Sequence, residues 1–169
     1  MNPKQVIVSV ILAASLAGGA WWFFYEYPEA EVRDAHREFA RLLSKPEGEP
    51  SGALLFNARV LQTMFAETCE VSGEAERFGG SYTPEELAGI IMQVRGMFRS
   101  VDLTFHDLVI EFPAADEATG SFSARMIVRG RTEETAEAFD TRDVVSRMRK
   151  LDGDWRFVSF NLLTVPENG

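Results

Sequence analysis

The chain has 169 residues, with hydrophobic side chains at 46%, charged ones at 25% and a formal net charge of −9. That length suits one domain with a short appendage, and that composition supports a packed core and excludes wholesale disorder. The acidic balance speaks against nucleic acid, which needs a basic stripe to neutralise phosphates, and against a polybasic membrane-surface site. Cys69 is the only cysteine, so no intramolecular disulfide can form, and His36 and His106 are the only histidines. With no HExxH, CxxC or paired Cys/His spacing, neither a metal site nor a cofactor is expected.

The first element is Val6 to Phe24, VIVSVILAASLAGGAWWFF, about 19 residues without a charge. That approaches the roughly 20 residues that cross a bilayer as a helix. Lys4 precedes the run and Glu26, Glu29 and Glu31 follow it, which orients the N-terminus to the cytoplasm. Trp21, Trp22, Phe23, Phe24, Tyr25 and Tyr27 suit an interfacial aromatic belt. The competing reading is a signal peptide cut after Ala20, with Gly18 at the −3 position. Both readings export the rest of the chain to the periplasm or the extracellular side. One leaves it anchored by residues 6–24 and the other secretes it.

Pro28 then opens a helix, with Glu29 and Glu31 complementing its positive end and Ala35, Phe39, Leu42 and Leu43 forming its apolar face. After the turn-rich KPEGEPSG, a second helix is expected from about Ala53 to Ala66. Ser51 would cap it, and Leu54, Leu55, Ala58, Leu61 and Phe65 would be its buried side. Cys69 and Val71 mark a short strand, and Arg77 to Tyr82 a second. Thr83-Pro84-Glu85-Glu86 is a helix start with a capping box. That third helix is expected to run to about Arg99, with Leu87, Ile90, Ile91, Val94, Met97 and Phe98 as its stripe.

Beyond Ser100 the apolar period becomes alternating. Val101 to Phe112 reads as a strand whose inward parity slips near His106-Asp107, which predicts a bulge. Pro113 to Gly120 is a loop. Phe122, Ala124, Met126 and Val128 form the buried side of the next strand. Phe139 to Leu151 and Asp154 to Val165 then form a hairpin about Asp152-Gly153. The domain boundaries are therefore 1–27 for the anchor or signal, 28–166 for one α+β domain and 167–169 for a loose tail.

Three helices followed by long antiparallel strands imply that the helices cover one face of a sheet. The stretches FGGSYTPEELAGII (Phe78 to Ile91), VDLTFHDLVIEF and RMRKLDGDWRFVSFNLL (Arg147 to Leu163) resemble the nuclear transport factor 2-like superfamily, in its SnoaL-like branch. The resemblance implies a cystatin-like cone, a curved antiparallel sheet wrapped around about three helices. It also implies a pocket between them for a small apolar ligand, and pairing into a homodimer through the outer face of the sheet. Because that superfamily hosts isomerases, cyclases, dehydratases, carriers and scaffolds, the fold alone does not name an activity.

His106 and Asp107 are the acid–base candidates, because the resemblance expects an Asp or His in the cone. As adjacent strand residues they face opposite sides unless the bulge turns both to one rim. The alternative is a hydrogen-bonded histidine and a solvated aspartate at a kink. Tyr82, Arg125, Arg142 and Asn161 are the remaining candidates for a pocket or ligand site. Arg142 would orient an anion or else pair with Asp140 or Asp143. No catalytic constellation stands out, so the expected function is a membrane-anchored, exported binding or assembly domain. The alternatives are a SnoaL-like isomerase, cyclase or dehydratase using His106 and Asp107, and a scaffold subunit of a membrane secretion complex. Inner-membrane subunits of type IV secretion systems resemble this plan of one span and one exported domain.

Overall fold

The computed structural model describes residues 28–73, 79–113, 118–132, 134 and 137–164. Helix α1 is Pro28–Leu43, and its buried stripe is Val32, His36, Phe39 and Leu42, one residue per turn on the side facing the sheet. Its exposed side carries Arg33–Glu29 and Arg37–Asp34 ion pairs at 2.7 and 2.8 Å. Glu31, in its first turn, accepts hydrogen bonds from Lys150 Nζ (2.7 Å) and Trp155 Nε1 (2.6 Å), fixing the start of α1 to the far end of the sheet.

Helix α2, Ser51–Thr63, departs from expectation at both ends. Pro50 stands at its N-cap and provides no side-chain cap. Phe65 and Ala66 belong instead to strand β1, Phe65–Gly73. The helix also turns only part of its expected side inward, with Ala58 packed against the core. Asn57 and Leu61 are buried, whereas Leu54, Leu55 and Phe56 are exposed. Apolar spacing alone cannot choose between two overlapping stripes on a helix that is apolar nearly all round.

Strand β2 is Gly80–Tyr82, antiparallel to β1, and helix α3 is Pro84–Gly96. The expected capping box is present: Thr83 Oγ1 accepts from Glu86 N, and the Glu86 carboxylate accepts from Thr83 N. Four long strands follow, β3 (Ser100–Glu111), β4 (Thr119–Arg131), β5 (Ala138–Leu151) and β6 (Asp154–Thr164). They join one six-stranded sheet in the order β2-β1-β6-β5-β4-β3.

The sheet is mixed, which corrects the all-antiparallel expectation: β1 runs parallel to β6. Parallel neighbours need a long crossover, and α3 with β3 to β5 supplies it. The bulge in β3 is where the parity slip placed it. Asp107 and Leu108 together oppose Ala124, and Asp107 has φ 54°. The β5–β6 turn uses Asp152 and Gly153, both at positive φ. The core between sheet and helices contains Phe65, Phe122, Phe157, Met148 and Trp155.

Among the described residues no helix is long and apolar enough to cross a membrane. The Val6 to Phe24 run, Arg77, part of the Pro113 to Gly120 loop and the 167–169 tail lie outside the described residues.

Candidate functional site

The concave face of the sheet and α3 enclose a cavity of about 480 Å³. The helix lends Leu87, Ile90, Ile91 and Val94, the segment after it lends Phe98, and the strands lend Leu103, Phe105, Met126, Val128, Phe160 and Leu162. The local cause is geometric. Ile90, Ile91 and Val94 project from consecutive turns of α3, while Met126, Val128 and Val144 share the inward parity of β4 and β5. Their side chains line a gap instead of closing it. At one end, an edge of the Phe98 ring lies against Gly130, where a Cβ would come within 2.5 Å of the ring.

Three polar side chains interrupt this lining: Tyr82, Arg95 and Asp140. Arg95 is 3% exposed. Its Nη1 donates to Glu49 Oε2 at 2.7 Å, and its Nη2 donates to Ser44 O at 2.7 Å. These bonds hold the Glu49 carboxyl below the usual carboxylate range, so the pair is ionised and spent on joining the α1–α2 loop to α3. Asp140 is exposed at the cavity edge, and both its oxygens accept from Arg142 Nε, at 3.2 and 3.1 Å. A carboxylate and a phenol lining one cavity can accept and donate hydrogen bonds to a ligand, and a carboxylate can take up a proton.

The other candidates are placed as follows. His106 and Asp107 are exposed and are not among the residues lining the cavity. His106 Nε2 contacts Thr104 Oγ1 at 3.1 Å, and Asp107 stands 3.8 Å from Arg125. Arg125 also reaches Asp143 at 3.4 Å on the outer face of the sheet. Asn161 shares the outer parity of β6 and receives a hydrogen bond from Ser72 at 3.3 Å. Tyr82 lines the cavity, and Arg142 touches it through Asp140.

His36 is 1% exposed, in the core. Its Nδ1 lies 2.8 Å from Val32 O and its Nε2 2.8 Å from Ser146 Oγ. A carbonyl can only accept, so Nδ1 carries the proton and Nε2 accepts from the serine hydroxyl. Burial pulls its pKa down to about 4, against a smaller upward pull from the Val32 bond, so the ring is neutral at pH 7. Cys69 is buried, and burial together with Glu70 pushes its thiol up to about 12, which makes it unreactive. Among the described residues no cluster of His, Cys, Asp or Glu could hold a metal.

Sequence reasoning passed over Arg95 and Asp140 as cavity residues. The available signal was Asp140's parity with Val144, which turns it to the concave side.

No protein-family model and no curated protein sequence matches the chain. Solved structures do match. A putative scytalone dehydratase from Novosphingobium aromaticivorans aligns with TM-score 0.66 at 18% identity, over 82% of this chain and 84% of that one. An NTF2-like protein with a cystatin-like fold from the same species gives 0.63 at 13%, over 94% and 90%. The hexachlorocyclohexane dehydrochlorinase LinA-type3 from Novosphingobium barchaimii gives 0.59 at 16%, over 79% and 84%. Element order, sheet and neighbours agree: from Pro28 onward, the chain has the α+β, cystatin-like fold of nuclear transport factor 2-like proteins.

Proposed function

We propose that this domain takes one small apolar molecule into its cone. The observation that carries the proposal is the cavity itself, about 480 Å³ and lined almost wholly by aliphatic and aromatic side chains, with Tyr82 and Asp140 as polar groups. Clefts of this size and character bind small molecules, and a few placed polar groups set their orientation. In this proposal the Val6 to Phe24 run tethers the domain to a membrane, with the cone on the exported side.

A second reading is that the bound molecule is transformed. The matched structures named as a dehydratase and a dehydrochlorinase support it, because both names describe eliminations. An elimination needs a base near the substrate's proton, and the carboxylate at this cavity is Asp140. On this reading His106 and Asp107, which the sequence put forward for the role, do not take it, because they are not among the residues lining the cavity.

The test is displacement of a fluorescent apolar probe such as 1-anilinonaphthalene-8-sulfonate, with Ile91→Trp and Leu162→Phe filling the cone. Each substitution should weaken probe binding at least tenfold while the protein stays folded. Undiminished binding to both folded variants would overturn the proposal. Asp140→Asn then separates the two readings. A carrier keeps its ligand and its phenotype, whereas an enzyme binds as before and loses turnover.

A further inference from the structure

The outer face of the sheet carries a feature that the cone does not use. Arg147 and Arg149 stand two residues apart on β5, and Arg149 is the direct cross-strand partner of Arg156 on β6. Alternate strand residues share a face about 6.6 Å apart, and paired residues lie about 5 Å apart. Three guanidinium groups are therefore brought within reach of one point. Around them the register places hydroxyl residues: Ser121 and Ser159 flank Arg147, and Thr119 flanks Arg149.

This grouping is unusual for an acidic chain. Most of its other described arginines meet carboxylates, as in Arg33–Glu29, Arg95–Glu49 and Arg142–Asp140. Among the described residues Arg147, Arg149 and Arg156 have no such partner. The acidic side chains nearest in register, Glu70, Glu111 and Asp154, make no ion pair with them. Like charges placed directly opposite each other on a sheet repel. A second observation is independent of the first. Arg156 Nε is shielded from solvent and has no hydrogen-bond partner, a cationic donor that has lost water and gained nothing.

We propose that Arg147, Arg149 and Arg156 form a binding site for a tetrahedral oxyanion, a phosphate or phosphate monoester. Planar guanidinium forks match phosphate oxygens in pairs, and a divalent anion cancels the repulsion between adjacent arginines. The flanking hydroxyls donate to the remaining oxygens. The same chemistry is offered by free phosphate and by the headgroup of a phospholipid, so the experiment carries both.

The test uses the full chain. Its melting temperature is measured with inorganic phosphate, with glycerol 3-phosphate as the headgroup probe, and with chloride at matched ionic strength. Phosphate at tens of millimolar should raise the midpoint by about 2–4 °C over chloride. A larger rise with glycerol 3-phosphate assigns the site to headgroups, and an equal or smaller one assigns it to free phosphate. Arg149→Gln and Arg147→Gln should each abolish the rise, while Arg59→Gln, an exposed arginine on α2, keeps it. Without phosphate, Arg149→Gln should melt no lower than the parent, because it removes repulsion. Equal shifts with chloride and phosphate, or an undiminished phosphate shift in both arginine variants, would overturn the proposal.

Discussion

The imidazole of His36 lies face to face with the ring of Phe122, centroids 3.3 Å apart and planes 15° from parallel. Phe157 meets the same imidazole edge-on at 4.9 Å. A ring so enclosed is stable only while neutral. Its folded pKa, about 4, is below the ordinary value of 6.5. Between those values the unfolded chain binds the extra proton, so stability is full above pH 6.5 and falls as pH drops toward 4. The loss should reach about 3 kcal/mol by the lower end. Urea melts from pH 7.5 to 4.5 should show this slope in the parent and a markedly flatter one in His36→Gln. An equal slope in both would assign the acid sensitivity to other groups.

Glu49 and Arg95 are a buried pair, with side chains 10% and 2% exposed. Removing one partner strands the other charge. Glu49→Ala should therefore cost about 3–5 kcal/mol in a denaturant melt. The double replacement Glu49→Leu with Arg95→Met should recover much of that, because it leaves no charge behind. A double variant as unstable as the single one would show that shape, not charge, governs this contact.

Glu31 gives the buried Trp155 indole its acceptor, at 2.6 Å. Glu31→Ala should cost about 1–3 kcal/mol, since the indole N–H then has no partner. Glu31→Gln retains an acceptor oxygen and should cost less than half as much. The two melts, read side by side with tryptophan fluorescence, distinguish a lost hydrogen bond from a lost charge pair with Lys150.

Gly130 admits the ring of Phe98 at the end of the cone. Gly130→Ala would place a methyl group 2.5 Å from that ring and should cost about 1–3 kcal/mol through overpacking. Because Phe98 lines the cavity, the same substitution should also change probe affinity. The companion Phe98→Ala relieves the clash, so the Gly130→Ala, Phe98→Ala pair should be less destabilised than the sum of its parts.

The elements best read from sequence were those whose local chemistry admits one solution. Thr83-Pro84-Glu85-Glu86 can hardly do anything but begin a helix, and Asp152-Gly153 can hardly avoid a hairpin. The parity slip between Phe105 and Leu108 located the bulge because a strand must keep its apolar side inward. Leu54 and Leu55 were misassigned because their burial depends on where α2 docks, which no local pattern encodes. The parallel pairing of β1 with β6 was hidden for the same reason, since both strands alternate equally well in either direction. The cone was legible as a class of architecture. Of its polar lining Tyr82 was put forward from sequence, but Asp140 and Arg95 were not, because they come from elements that only the folded chain brings together.

β6 is the last strand in chain order, yet it lies between β1 and β5 in the sheet. During synthesis β1 and β2 leave the ribosome long before their neighbour exists, and β5 is made with one edge open. Phe65 meets Phe157 and Val71 meets Phe160 only after nearly the whole domain has been translated. The sheet therefore cannot close progressively. It closes by insertion of a single late strand, and until then the apolar sides of β1 and β5 are exposed edges that can pair with other chains. Such long-range pairings also slow folding. A nascent chain truncated before Asp154 should thus depend on holding chaperones, and the full chain should gain protease resistance in one late step.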